Sequence, residues 1–288
     1  MTIPTYTAHD GTKVPQIGFG TYKLKGYDGV ESIQSALEAG YRYLDSAYNY
    51  ENEATVGEAI RRSGIPRDEI QVASKLPGRY HKYDDALVTI QESLLRANLD
   101  YYDFYLIHWP NPKEDHYVEA WQALIEAQRR GYIKNLGVSN FLPEHIDRIE
   151  RETGVLPVVN QVEMHPYFQQ KAQRAYHEEK GIITQSWSPF VRANEKIDKS
   201  VLENEDIKAV AAKYGKSAGQ TILRWQTQLG AMPIPKSSKK ARQIENLDFF
   251  DFKLDEEDLA VFDRLDKPDG RAANQDPAVY QEFYANMT

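Results

Sequence analysis

The feature that most constrains this chain is a rhythm. Short runs rich in β-branched and aromatic residues alternate with longer stretches whose apolar residues recur at helical spacing. Residues 70–75, 103–107, 135–139, 158–163 and 182–186 read as strands. Between them, Leu87, Ile90, Leu94, Leu95 and Leu99 mark one amphipathic helix, and Val118, Trp121, Leu124 and Ile125 mark another. Gly131 and Gly181 stand where helices end. Pro143 suits a first helical turn, Ser217 and Gln220 form a capping box, and Asp255 precedes the stripe Leu259, Phe262, Leu265. Asp45, Lys75, His108 and Ser139 fall at strand ends, 30, 33 and 31 residues apart. A barrel of eight strand–helix units takes ~30 residues per unit. Counting from residues 17–21 through 43–45 to 231–235 gives eight strands. The expected fold is therefore α/β, a (β/α)8 TIM barrel in one domain over residues 1–288. Asp10-Gly11 turns an N-terminal β-hairpin that caps the barrel floor. A long C-terminal loop from Asp266 to Thr288 is either a lid or a tail docked on the flank. An open doubly wound sheet is the competing architecture.

Composition narrows the chemistry. The chain has no cysteine, which removes disulfides, thiolate metal sites and a cysteine nucleophile. A net charge of −8 makes nucleic acid a poor partner. No uncharged apolar run approaches the ~18 residues of a membrane helix, and no signal segment is visible. The expectation is a cytoplasmic monomer with a small-molecule substrate.

Polar residues recur at the strand ends, the face on which barrel enzymes work. Asp45, Lys75 and His108 are joined there by Ser139, Asn140, Gln161, Glu163, Trp187 and Lys236. Taken singly, a strand-end Asp or Lys serves equally well as a structural ion pair. Taken together with Tyr50, the group suits proton delivery to a carbonyl oxygen. Tyrosine is a weak acid, a neighbouring ammonium lowers its pKa, a carboxylate keeps that lysine charged, and a histidine can orient the substrate oxygen. There is no evident nucleophile or metal cage, so the hydride must come from a cofactor. Gly18-Phe19-Gly20 lacks the third glycine of a dinucleotide fingerprint and reads as a tight strand passage. Ile234-Pro235-Lys236-Ser237 with Arg242 is the better phosphate site, although Lys239 and Lys240 also allow a plain basic face.

These residues resemble the aldo-keto reductase superfamily over nearly the whole chain. Gly40-Tyr41-Arg42-Tyr43-Leu44-Asp45-Ser46-Ala47, followed by Tyr50, Glu53 and Gly57, looks like its first signature. Residues 234–237 with Arg242, Glu245 and Asn246 look like its cofactor signature. Lys75, His108-Trp109-Pro110, residues 137–141 and Asn160-Gln161 match further motifs in order. The bacterial 2,5-diketo-gluconate reductase branch looks most similar. The resemblance implies NADPH-dependent reduction of aldehydes or ketones, keto sugar acids among them. It makes Tyr50 the general acid, Lys75 and Asp45 its tuning pair, and His108 the carbonyl-orienting group. Ser139, Asn140 and Gln161 would hold the nicotinamide carboxamide. Trp187 would stack on the ring, and Ser188 and its loop would cover the pyrophosphate. Lys236, Ser237 and Arg242 would take the 2′-phosphate, and Glu245 and Asn246 the adenine. Gly20 and Thr21 complete the cofactor set. Tyr22 and Trp109 line the substrate side, with Tyr280, Phe283 and Tyr284 of the tail as further candidates. The chain departs from the family pattern at Tyr22, at Phe190-Val191-Arg192 and at Ser238-Lys239-Lys240. Two other readings stand beside this one: a non-catalytic NADPH-binding subunit, and a metal hydrolase using His108, Glu163 and His165.

Overall fold

The computed structural model describes residues 3–191, 193–194 and 196–282. Arg192, Phe283 and Tyr284, named above, lie outside the described residues. An antiparallel hairpin of β1 (Thr5–Thr7) and β2 (Lys13–Pro15) comes first. The barrel strands follow: β3 (Phe19–Gly20), β4 (Tyr43–Asp45), β5 (Gln71–Leu76), β6 (Tyr102–Ile107), β7 (Ile133–Ser139), β8 (Val159–Glu163), β9 (Ile183–Trp187) and β10 (Ala231–Pro233). Each pairs in parallel with its neighbours in sequence order. Gly18 N–H to Pro233 O at 3.0 Å and Gly20 N–H to Pro235 O at 3.1 Å join the first strand to the last, so the sheet closes into a (β/α)8 barrel.

The crossovers are α1 (Gly26–Ala39), α2 (Glu53–Ser63), α3 (Tyr83–Ala97), α4 (Tyr117–Arg129), α5 (Pro143–Thr153) and α6 (Lys171–Lys180). Two helices, α7 (Glu205–Lys213) and α8 (Ala218–Gln228), lie between β9 and β10. The short α9 (Lys240–Glu245) and α10 (Glu256–Asp263) close the chain. Local signals explain their limits. Pro143 opens α5, Ser217 and Gln220 form the reciprocal cap of α8, and Asp255 caps α10. Gly131 and Gly181 adopt φ of 82° and 65° just past α4 and α6.

The end strands are shorter than the sequence suggests. β10 stops at Pro233 rather than Pro235, and β3 keeps only Phe19 and Gly20. The prolines at 233 and 235 have no N–H to donate, so only alternate rungs of the closing ladder form. The hairpin covers the floor, as expected. Tyr6 Oη donates to Thr227 O at 2.9 Å, Gln71 donates to Lys13 O, and His9 N–H donates to Gly181 O. All three contacts lie near strand starts.

Strand parity distributes the core. In β6, Tyr105 and Ile107 pack among the helices while Phe104 and Leu106 fill the barrel with Tyr43, Ala73, Val159, Ile183 and Met232. Continuing that inward parity toward the carboxyl ends reaches Asp45, Lys75, His108, Gln161 and Trp187. The fold thus aims these residues at one place.

Candidate active site

The inward-facing ends surround a cleft of about 1150 Å³ at the carboxyl face of the barrel. At its bottom, the Lys75 ammonium donates to both Asp45 carboxylate oxygens at 2.8 Å and to Ser46 O at 2.7 Å. Lys75 is fully buried and belongs to the interior of β5, which continues through Leu76, rather than to its last position. Burial pulls its ammonium below the usual lysine range, and Asp45 opposes that shift. Gln161 donates to Asp45 Oδ1 at 2.7 Å and to Gln185 Oε1 at 3.2 Å, and Gln185 donates to Tyr43 Oη at 2.9 Å. The ion pair is therefore locked into a polar layer across the barrel.

Tyr50 lies above this pair, in a single helical turn after β4. Lys75 Nζ is 5.0 Å from its ring centroid, and the Tyr22 and His108 rings are 5.0 and 6.1 Å away. The sequence reading expected the lysine to lower the Tyr50 pKa. The direction is the opposite. Part of the Tyr50 ring stays open to the cleft, yet burial pushes the phenol well above the usual tyrosine range, and Asp45, Glu282 and Tyr22 push it further. The Lys75 protons have partners in Asp45 and Ser46, so the ammonium faces the ring rather than donating to the phenol. Burial thus favours the neutral form of the phenol.

Ser139, Asn140 and Trp187 converge on one wall. Ser139 Oγ donates to Gln161 O at 2.8 Å. Asn140 donates to His108 O and Ser139 Oγ, and accepts from the Trp187 indole N–H at 2.9 Å. Trp187 is the last residue of β9 and keeps part of its ring open to the cleft. Farther along, Gly20, Ser188, Lys236 and Ser237 line the cleft, followed by Arg242, Glu245 and Asn246. Thr21 does not line it. Its hydroxyl donates to Asp45 O at 2.8 Å and accepts from Asn52, so it braces β4 from behind. Tyr22, 54% exposed, and Trp109 flank the mouth.

Two parts of the site escaped the sequence reading. The start of α8 at Ser217, Ala218 and Gly219 lines the cleft beside the loop after Ser188; its capping box was visible, its location was not. The other is Glu282. The tail crosses the barrel mouth, with Ala272 N–H on Glu163 Oε1 at 2.7 Å and the Tyr280 ring 4.5 Å from that of Trp109. Glu163 also meets His165 Nε2 at 2.9 Å, so this pair anchors the tail. Among the described residues, no group of three or more metal-ligating side chains is placed to hold an ion. No described helix is long and apolar enough to cross a membrane.

A carboxyl-face cleft with a buried Lys–Asp pair under a tyrosine, a flat indole wall and a basic far end defines a nicotinamide-dependent oxidoreductase on a barrel. The sequence pattern of the Aldo/keto reductase family matches residues 16–267. The chain is 44% identical to 2,5-diketo-D-gluconic acid reductase B of a Corynebacterium species over 98% of this chain and 99% of that one. It is 41% identical to methylglyoxal reductase DkgA of Escherichia coli K12 over 93% and 94%. A Bombyx mori aldo-keto reductase solved in complex with NADP superposes with a TM-score of 0.89 at 32% identity, over 98% of this chain and 99% of that one. The chain belongs to the aldo/keto reductase family and, as a member, is an NADPH-dependent oxidoreductase of carbonyl compounds.

Proposed function

We propose that this protein reduces small aldehydes and ketones to alcohols, with dicarbonyls of the kind named for its relatives as the substrate class and Tyr50 as proton donor. It acts as one barrel domain, as a monomer, in the cytoplasm. The cleft's donor set fits NADPH: a half-open indole face, a wall of amide and hydroxyl groups, and a far end carrying Lys236 and Arg242. When bound there, NADPH would supply the hydride for the carbonyl carbon. The chain's residues do the rest. Trp187 offers a flat face to one side of the nicotinamide ring. Ser139, Asn140 and Gln161 orient its carboxamide. Lys236, Ser237 and Arg242 hold the 2′-phosphate, Ser188 and its loop cover the pyrophosphate, and Glu245 and Asn246 reach the adenine. His108 orients the carbonyl oxygen. Tyr50 gives that oxygen its proton, and Lys75, held charged by Asp45, stabilises the phenolate left behind.

The observation that carries this reading is the buried Lys75–Asp45 pair directly beneath a protonated Tyr50. The test is NADPH consumption with a panel of small aldehydes. Wild type turns over only when both partners are present. Tyr50→Phe loses about 10²- to 10⁴-fold in kcat, as expected on removing a general acid, while fluorescence titration shows NADPH binding retained. Near-normal turnover in the variant would remove Tyr50 from the mechanism. Binding without turnover in wild type would leave only a cofactor-binding role.

A further inference from the structure

Glu282 is a buried charge at the cleft. It is 2% exposed, comes from the last described residue of the chain, and lies against the catalytic cleft. Burying a carboxylate is costly unless hydrogen bonds and charge offset it. Here they do. Oε2 accepts from Gly78 N–H at 2.8 Å and Oε1 accepts from Asn49 Nδ2 at 2.7 Å. The Glu282 backbone N–H donates to Asn111 Oδ1 at 3.1 Å. The Gly78 turn is shaped for this contact, because a Cβ at Gly78 would lie 2.1 Å from Asn111 Nδ2. Oε1 also lies 2.7 Å from His108 Nδ1, a contact that is a salt bridge when the imidazole is protonated. Burial would raise the Glu282 pKa, but His108, Gly78 N–H and Asn49 outweigh it and hold the carboxyl below its usual range.

Two carboxylates, Asp45 and Glu282, line the substrate end of the cleft, where Lys23 beside Tyr22 and His108 beside Glu282 are the basic groups. The Lys75 ammonium is matched by both oxygens of Asp45. Arg79 donates to Asn49 Oδ1 at 2.7 Å, on the same carboxamide whose Nδ2 donates to Glu282. The cations Lys236 and Arg242 line the cofactor end.

We propose that Glu282 is a specificity determinant: its carboxylate, carried by the C-terminal tail to the side of His108, makes this reductase prefer uncharged or cationic carbonyl substrates and reject those bearing a carboxylate. The inference rests on the reductase reading and deepens it. It separates this chain's preference from that expected of an enzyme for an anionic sugar acid, and it points toward small neutral dicarbonyls. The physical basis is the repulsion of two like charges in a partly dry cleft, where an effective dielectric of about 20 makes a charge within roughly 10 Å count for on the order of tenfold in binding.

The experiment uses the full chain with NADPH at pH 8.5. Three matched aldehydes are compared: 4-carboxybenzaldehyde, its uncharged carboxamide analogue and a 4-trimethylammonium analogue. Wild type is expected to rank kcat/KM as cation at or above amide, and amide at least about tenfold above carboxylate. In Glu282→Gln, which keeps the shape, the amide-to-carboxylate ratio should collapse by about tenfold. Glu282→Asp, which keeps the charge, should retain most of it. Because the readout is a ratio, a general loss of activity cancels. A wild type that handles the carboxylate as well as the amide overturns the proposal without any variant, as does an unchanged ratio in Glu282→Gln. Failure of wild type on all three aldehydes would count instead against the reductase reading.

Discussion

Arg242 carries the clearest consequence at the scale of a single residue. It is exposed on the cofactor end of the cleft, where a guanidinium can grip a phosphate bidentately. Arg242→Ala should weaken NADPH by about 10- to 100-fold, in line with ~1.5–3 kcal/mol for a charged hydrogen bond, and leave NADH within about twofold. Equal losses for both cofactors, measured by fluorescence titration, would contradict contact with the 2′-phosphate. The residues that line the cleft were mostly legible because their types and order are unusual together: Asp45, His108, Ser139 and Gln161 fall at or near the carboxyl ends of their strands. What was not legible depends on distance and burial. The Thr21 hydroxyl bonds to Asp45 O, a contact sequence does not show, because it gives position along the chain and not the side on which a hydroxyl finds its acceptor. The Tyr50 phenol moves opposite to expectation for a related reason. Pairing Tyr with Lys suggests a lowered pKa, but Asp45 and Ser46 occupy the ammonium and burial dominates. Glu282 has no local signal at all. Its partners Asn49, Gly78 and His108 lie more than 170 residues away in sequence.

At the scale of elements, the strands place chemistry by parity and the helices are fastened by buried polar clasps. The α6 clasp is built on His177, which is fully buried. Its Nδ1 pairs with Thr184 Oγ1 at 2.8 Å, and its Nε2 lies 2.8 Å from Gln173 Nε2 and 3.0 Å from Asn160 Nδ2. Nε2 must accept from two amide donors, so the ring is neutral with its proton on Nδ1. Burial, helped by the Arg174 charge, lowers its pKa to about 3. In the unfolded chain the same imidazole titrates near 6.5. Between those values the unfolded state holds the extra proton, so stability rises with pH and falls on acidification. A single such group weakens the fold by about 1.5 kcal/mol from pH 6.5 to 5. His81, lowered to about 4 by burial, acts in the same direction. Urea midpoints measured across pH 5–7 should therefore climb with pH, and His177→Gln should be less stable at pH 7 but flatten the climb. A slope unchanged by that substitution would assign the acid sensitivity elsewhere. Helix limits set by Pro143, Ser217 and Asp255 could be read from the sequence, since caps are local chemistry. The clasp could not, because Asn160, Gln173, His177 and Thr184 belong to three different elements.

For the whole molecule, closure of the sheet is tied to the polar layer beneath Tyr50. The seam joins Gly18 and Gly20 to Pro233 and Pro235. The GxG run that could have been mistaken for a nucleotide loop is there because a Cβ at either glycine would crowd its neighbours at the seam. A Cβ on Gly18 would lie 2.8 Å from Met232 Cε and 2.9 Å from Tyr43 Cδ1, and one on Gly20 would lie 3.2 Å from Ile234 O. The Met232 methyl can swing aside. The Tyr43 ring has less freedom, since it is wholly buried and its hydroxyl accepts from Gln185. Gln185 in turn accepts from Gln161, which donates to Asp45, the partner of Lys75. Pressure at the seam is thus passed to the carboxylate that keeps Lys75 charged. Gly18→Ala should destabilise the protein by about 1–3 kcal/mol, the usual cost of overpacking a filled core. It should also lower kcat more than it weakens NADPH, whose proposed phosphate contacts, Lys236 and Arg242, lie beyond this layer. Denaturant midpoint, turnover and cofactor titration on one preparation check all three. A loss of stability with kcat untouched would mean that Tyr43 absorbs the strain and that the barrel's closure and its chemistry are mechanically separate.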